Sequence, residues 1–91
     1  MSPIQLEEWY RINRTRVLRH FAGKYGSDPA TVEEALQDVM VHFYAKPTLW
    51  RKKHASEIER ILWKAVDNRL KHIFRHERRR STIEYLSTLQ D

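Results

Sequence analysis

The chain has no cysteine, only two glycines and only three prolines in 91 residues. The lack of cysteine excludes a disulfide framework and thiolate metal sites, and it suits a reducing cytoplasm, the expected location. No apolar run approaches the ~20 residues of a membrane span and no leader pattern opens the chain, so no membrane role is expected. No apolar–polar alternation is present, and with so little glycine this argues against a sheet protein. Catalysis also lacks its usual signs. There is no glycine-rich phosphate loop and no serine–histidine–acid spacing, so an enzyme is not expected. His72 and His76 are four apart, but the order His-Ile-Phe-Arg-His-Glu is not that of a zinc helix and no third ligand is evident. No metal and no cofactor is expected.

Charge, by contrast, is plentiful and unevenly placed. With 41% hydrophobic and 32% charged residues, the composition is that of a globular protein. One domain spanning 1–91 is expected, with a core over about 4–80. The formal net charge is +5. Residues 69–80 hold six of the 17 lysines and arginines against one acid, Glu77, and therefore account for all of that charge. The remaining 11 basic and 11 acidic groups cancel. Such concentration points to a polyanionic partner.

The chain reads as helices with short punctuated loops. Ser2-Pro3-Ile4-Gln5 opens the first, with a cap residue, a proline at the first helical position and a glutamine to complete a capping box. Leu6, Trp9, Tyr10, Val17, Leu18 and Phe21 give it an apolar side before Gly23 and Gly26 stop it. Asp28-Pro29 and Thr31-Val-Glu-Glu34 are overlapping start signals for the second. Val32, Leu36, Val39 and Phe43 share its inner face, and Pro47 ends it. Residues 46–55 form a loop or a short helix. Ser56-Glu-Ile-Glu59 is a further capping box, after which Ile58, Leu62, Ala65, Val66 and Ile73 recur at helical spacing. A last short segment, 82–89, has Ile83, Leu86 and Leu89 on one side. The expected fold is all-α: a compact bundle of about three main helices, a short connecting helix and a short C-terminal helix, with 81–91 as that helix or the start of a linker.

At ~100° per residue, Arg60, Lys64, Lys71, Arg75 and Arg78 cluster nearly opposite the apolar stripe of the third helix. Trp63 and Phe74 border that basic face. Cations beside aromatics suit phosphate attraction with base stacking. The same pattern also describes a solvated face whose aromatics pack on a neighbouring helix. Both readings stay open at this point.

The order of these segments resembles a known family. Val32-Glu-Glu-Ala-Leu-Gln-Asp-Val-Met-Val-His-Phe-Tyr44 is similar to the AEDLVQEVFLRLW-like helix of extracytoplasmic-function bacterial sigma factors. Leu6-Glu-Glu-Trp-Tyr10 and Val17-Leu-Arg-His-Phe-Ala22 look like that family's opening helix. Leu62-Trp-Lys-Ala-Val-Asp-Asn-Arg69 with Arg75-His-Glu-Arg-Arg-Arg80 is similar to its WLYRIARNRAIDHLRRRRR helix. The resemblance covers about residues 4–82, in order, and is to the region 2 domain.

The resemblance implies a role in transcription initiation. The domain would dock on the clamp helices of the RNA polymerase largest subunit, then contact or melt the minus-ten promoter element. Docking would fall to Glu33, Glu34, Gln37, Asp38 and Val41, of which Val41 is an outward aliphatic. Promoter DNA would meet Trp50, Arg51, Lys52, Lys53, Arg60, Trp63, Lys64, Asn68, Lys71, Arg75, Arg78 and Arg79. An aromatic followed by three cations suits a single strand, although Trp50 and Leu49 could equally plug the end of the bundle.

The departures bear on this role. His72 stands in place of the family's aspartate and Ile61 in place of a tryptophan, while Asp67 replaces a usual basic residue. The chain has no room for the family's second helix-turn-helix domain. It is therefore expected to be an isolated or excised first domain, or a small relative with a reduced role, with an anti-sigma factor or a separate protein supplying that second domain as further partners. Two alternatives stand beside this reading. One is a polymerase- or anti-sigma-binding regulatory module without specific DNA recognition. The other is a nonspecific nucleic-acid-binding helical domain.

Overall fold

The computed structural model describes residues 1–89, with side chains through Arg78 and at Leu86. It is all-α, with helices α1 (Pro3–Tyr25), α2 (Pro29–Ala45) and α3 (Ala55–Leu89), and a 3-10 turn at Pro47–Leu49.

Local chemistry sets the helix ends. Ser2 Oγ accepts from the Gln5 N–H at 3.2 Å while the Ser2 N–H donates to Gln5 Oε1 at 2.8 Å, satisfying two donors that the first turn leaves orphaned. α1 stops at Gly26, whose φ of 59° and ψ of 34° lie in the left-handed region that glycine enters without a steric penalty. Asp28 caps α2 by accepting from the Ala30 N–H at 2.9 Å, so the first of the two overlapping start signals is the one used.

Two expectations about α3 are corrected. The Ser56 box does not start it; α3 begins at Ala55, where the Ser56 N–H donates to His54 Nδ1 at 3.3 Å. There is also no separate C-terminal helix, because α3 runs 35 residues to Leu89. The sequence from 56 onward has neither glycine nor proline, so nothing in it stops the helix. At 1.5 Å per residue α3 spans ~52 Å, which sets the 56 Å long axis of the molecule.

The helices run up, down, up. Arg14 on α1 pairs with Glu33 on α2, and Asp38 on α2 with Arg69 on α3, so α2 is antiparallel to both neighbours. α1 and α3 are parallel, since Arg16, His20 and Lys24 face Glu59, Trp63 and Asp67 in turn. The core holds Leu6, Trp9, Val17 and Phe21 from α1, six residues of α2 from Val32 to Phe43, and Ile58, Leu62, Val66 and Leu70 from α3. Leu70, absent from the periodic set read in the sequence, is fully buried and completes the α3 stripe. Ala65 and Ile73 lie half-buried at its edge.

Trp50 belongs to this core. It is 2% exposed, and its indole N–H donates to the Phe43 carbonyl at 2.6 Å, satisfying a C-terminal acceptor of α2. It is therefore the plug of the bundle end, and its assignment to DNA is corrected. Burial with a satisfied N–H is the low-energy state of so large an amphipathic ring. The Trp9 indole N–H, in contrast, is buried without a partner among the described residues.

Candidate functional site

Two surfaces stand out, one on each side of the bundle. The first is an open groove of about 340 Å³ between α1 and α2, lined by Glu7, Tyr10, Gln37, Met40, Val41 and Tyr44. Antiparallel pairing brings the start of α1 to the end of α2, so Tyr10 and Met40 form its floor. Val41, 68% exposed, and Tyr44, 42% exposed, stand at its edge. Neither contributes to the core, although both are apolar enough to be sheltered elsewhere. Burial raises the Tyr44 phenol above its ordinary value, and the Glu7 carboxylate raises it further.

The residues expected to dock polymerase divide here. Glu34, Gln37 and Val41 are exposed on this side of α2. Glu33 is half-buried and accepts from Arg14 Nε at 2.9 Å, and this pairing raises the Arg14 pKa. Asp38 turns to the other side of α2, where its Oδ2 takes both Arg69 Nε at 3.2 Å and Arg69 Nη2 at 3.1 Å. Glu33 and Asp38 thus hold helices together, and their charges are partly spent inside the molecule.

The Asp38–Arg69 pair also closes one end of a cleft of about 540 Å³ between α2 and α3. Its floor is Val39, Phe43 and Ala65, and His42 and Asn68 stand at its rim. Asn68 is therefore next to α2 rather than on the strongly basic face.

That face is the outer side of α3. Arg60, Lys64 and Arg75 are exposed and form no ion pair among the described residues, and Arg78 is exposed beside them. At its lower end the carbonyls of Trp50, Arg51 and Lys53 converge on the Met1 ammonium at 3.1–3.3 Å, and the side chains of Arg51, Lys52 and Lys53 are exposed. The Arg79 side chain lies outside the described residues, as do those of Ile83 and Leu89.

Trp63 and Phe74 both pack on α1. Trp63 is half-buried, edge-on to His20 at 5.2 Å and tilted against Phe21 at 5.5 Å, with the Arg16 guanidinium 5.2 Å over its ring. Phe74 meets Tyr25 at 5.3 Å. Trp63, expected at DNA, is thus half-buried against α1.

The α1 side of this seam was missed in the sequence. Arg16, His20 and Lys24 recur at i, i+4 and i+8, a ridge that faces the ridge Glu59, Trp63 and Asp67 on α3. Asp67 is its most connected member. It accepts from the Tyr25 hydroxyl, pairs with Lys24 Nζ at 3.2 Å and pairs with Lys71 Nζ at 3.1 Å. Burial pushes the Asp67 carboxyl up, but the Tyr25, Lys71 and Lys24 hydrogen bonds outweigh it and bring it down to about 2. The same hydrogen bond raises the Tyr25 phenol. Lys71, expected at DNA, is therefore tied to Asp67.

No group of three or more metal-ligating side chains occurs among the described residues, and none of the helices is long and apolar enough to cross a membrane. No protein-family model, no curated protein and no solved structure matches the chain.

Proposed function

We propose that this is a sigma-like domain that binds core RNA polymerase through the α1–α2 groove and promoter DNA through the outer face of α3. One observation supports the reading above the rest. The exposed apolar side chains Val41 and Tyr44 border a groove beside exposed Gln37 and Glu34, on the helix whose sequence resembles the family's docking helix. An apolar strip with an acidic rim fits a partner helix that carries aliphatic side chains flanked by cations. The basic side lies across the molecule, so both partners could be held at once. With Trp50 in the core and Trp63 half-buried against α1, the DNA contacts of this reading rest on Arg51–Lys53, Arg60, Lys64, Arg75 and Arg78.

Capture of purified core polymerase by the immobilised protein tests the docking half. Val41→Glu places an unpaired charge in the apolar strip and should lower capture at least tenfold while leaving the fold intact by circular dichroism. Undiminished capture by Val41→Glu would reject the groove as the docking site. Val41 is a cleaner probe than Asp38, whose neutralisation also breaks the Arg69 pair. Binding of single-stranded minus-ten non-template DNA by the resulting complex tests the other half. Oligonucleotide binding without polymerase capture would favour a nonspecific nucleic-acid-binding domain.

A further inference from the structure

The basic face of α3 is interrupted. Between Lys64 and Arg75, ~17 Å along the helix at 1.5 Å per residue, the cations near the face are Lys24 and Lys71, and both are bound to one carboxylate. The Asp67 side chain is only 18% exposed and is anchored from α1 by the Tyr25 hydroxyl, so it cannot swing away to release them. A phosphate approaching either lysine meets this fixed negative charge, and the trio offers +1 where two free lysines would offer +2.

We propose that Asp67 withholds Lys24 and Lys71 from nucleic acid and divides the basic face into two phosphate-binding patches, one at Arg60 and Lys64 beside Arg51–Lys53 and one at Arg75. This rests on the nucleic-acid half of the proposed function. Asp67 limits how many phosphates the domain neutralises, and so how tightly it holds nucleic acid of any sequence. Affinity kept low in this way leaves room for a second, specific contact or a partner to decide where the domain stays.

Counterion release makes the proposal measurable, since each phosphate contact adds ~0.7 to the log–log salt slope on a single strand and ~0.9 on a duplex. The probes are a mixed-sequence 20-nucleotide single strand and its duplex, with affinity measured by fluorescence anisotropy across a salt series. Lys64→Gln should flatten the single-strand slope by ~0.7, whereas Lys71→Gln should change it by less than half as much. Asp67→Asn should steepen the slope by ~0.7 or more and tighten binding several-fold at low salt, and in that background Lys71→Gln should become as costly as Lys64→Gln. Equal effects of Lys64→Gln and Lys71→Gln in the natural chain would overturn the proposal, as would an unchanged slope in a folded Asp67→Asn variant. If Asp67→Asn does not fold, the two lysine variants decide alone. Binding by Asp67→Asn but not by the natural chain would support the masking and reject nucleic-acid binding as the natural role. Binding by neither would reject both.

Discussion

Replacing each of two buried tryptophans by phenylalanine separates a plug from a ligand-contacting ring. Trp50 and Trp9 are both buried, and both substitutions remove a similar volume, which at ~24 cal/mol per Å³ costs about 1 kcal/mol if the site does not collapse. The indole N–H groups differ. That of Trp50 bonds the Phe43 carbonyl at 2.6 Å, so Trp50→Phe should lose roughly a further 1 kcal/mol. The loss is limited because the Lys46 N–H also reaches that carbonyl, at 3.1 Å. The N–H of Trp9 is buried without a partner among the described residues, so Trp9→Phe removes an unsatisfied donor and recovers about 1 kcal/mol or more of its cavity cost. We expect a loss of about 2 kcal/mol for Trp50→Phe and about 0 kcal/mol, or a slight gain, for Trp9→Phe. With a urea slope near ~1 kcal/mol per molar for so small a domain, the midpoint should fall by ~2 M for Trp50→Phe and stay nearly unchanged for Trp9→Phe. Equal shifts would refute the hydrogen-bond argument. Unchanged stability in Trp50→Phe together with weakened oligonucleotide binding would return Trp50 to the nucleic-acid face.

Other consequences are as direct. The folded-state carboxyl of Asp67 sits at about 2, below its ordinary 3.8, so its contribution is complete above that ordinary value and is lost as pH falls through 2. Urea melts at pH 6 and pH 2.5 should show about 1 kcal/mol more acid loss in the natural chain than in Asp67→Asn, after discounting for partial exposure; parallel losses would count against the network. Glu33→Gln should cost only about 0.5–1 kcal/mol in thermal melts, because Arg14 and Glu33 remain 40% and 31% exposed. A loss above 3 kcal/mol would mean the pair is effectively buried. Gly26→Ala should destabilise by about 1 kcal/mol even though nothing lies within 4 Å of the added carbon, because the backbone there is left-handed.

Much of the fold was legible because helical chemistry is local. The Ser2 box, the Asp28 cap, the glycine stop and the period of the α2 stripe each depend on residues within a turn or two. What was not legible depended on contacts distant in sequence. Whether Trp50 faces DNA or plugs the bundle depends on reach to Phe43 across a proline-started turn, and flanking cations say nothing about that. His54 as the cap of α3 was hidden because imidazole is an uncommon cap beside a well-formed Ser-x-x-Glu signal. Asp38 is exposed and Glu33 half-buried on α2, and their arginine partners come from helices whose rotation no single-sequence pattern fixes. Lys71 looked like one more cation of a stripe, and only packing against α1 revealed what holds it.

The ladder between α1 and α3 works as a vernier. Parallel helices that meet through apolar contacts alone could slide by one turn and still bury similar area, because their ridges repeat every four residues. Here Arg16, His20 and Lys24 meet Glu59, Trp63 and Asp67 in register. A slide of one turn toward the far end of α3 would set Lys24 against Lys71 and His20 against Asp67, leaving Glu59 alone. A slide the other way would lay Lys24 on Trp63 and leave Asp67 facing solvent with only Lys71. Each wrong setting sets like charges together or strands an acid, so electrostatics selects the one alignment that burial alone leaves degenerate.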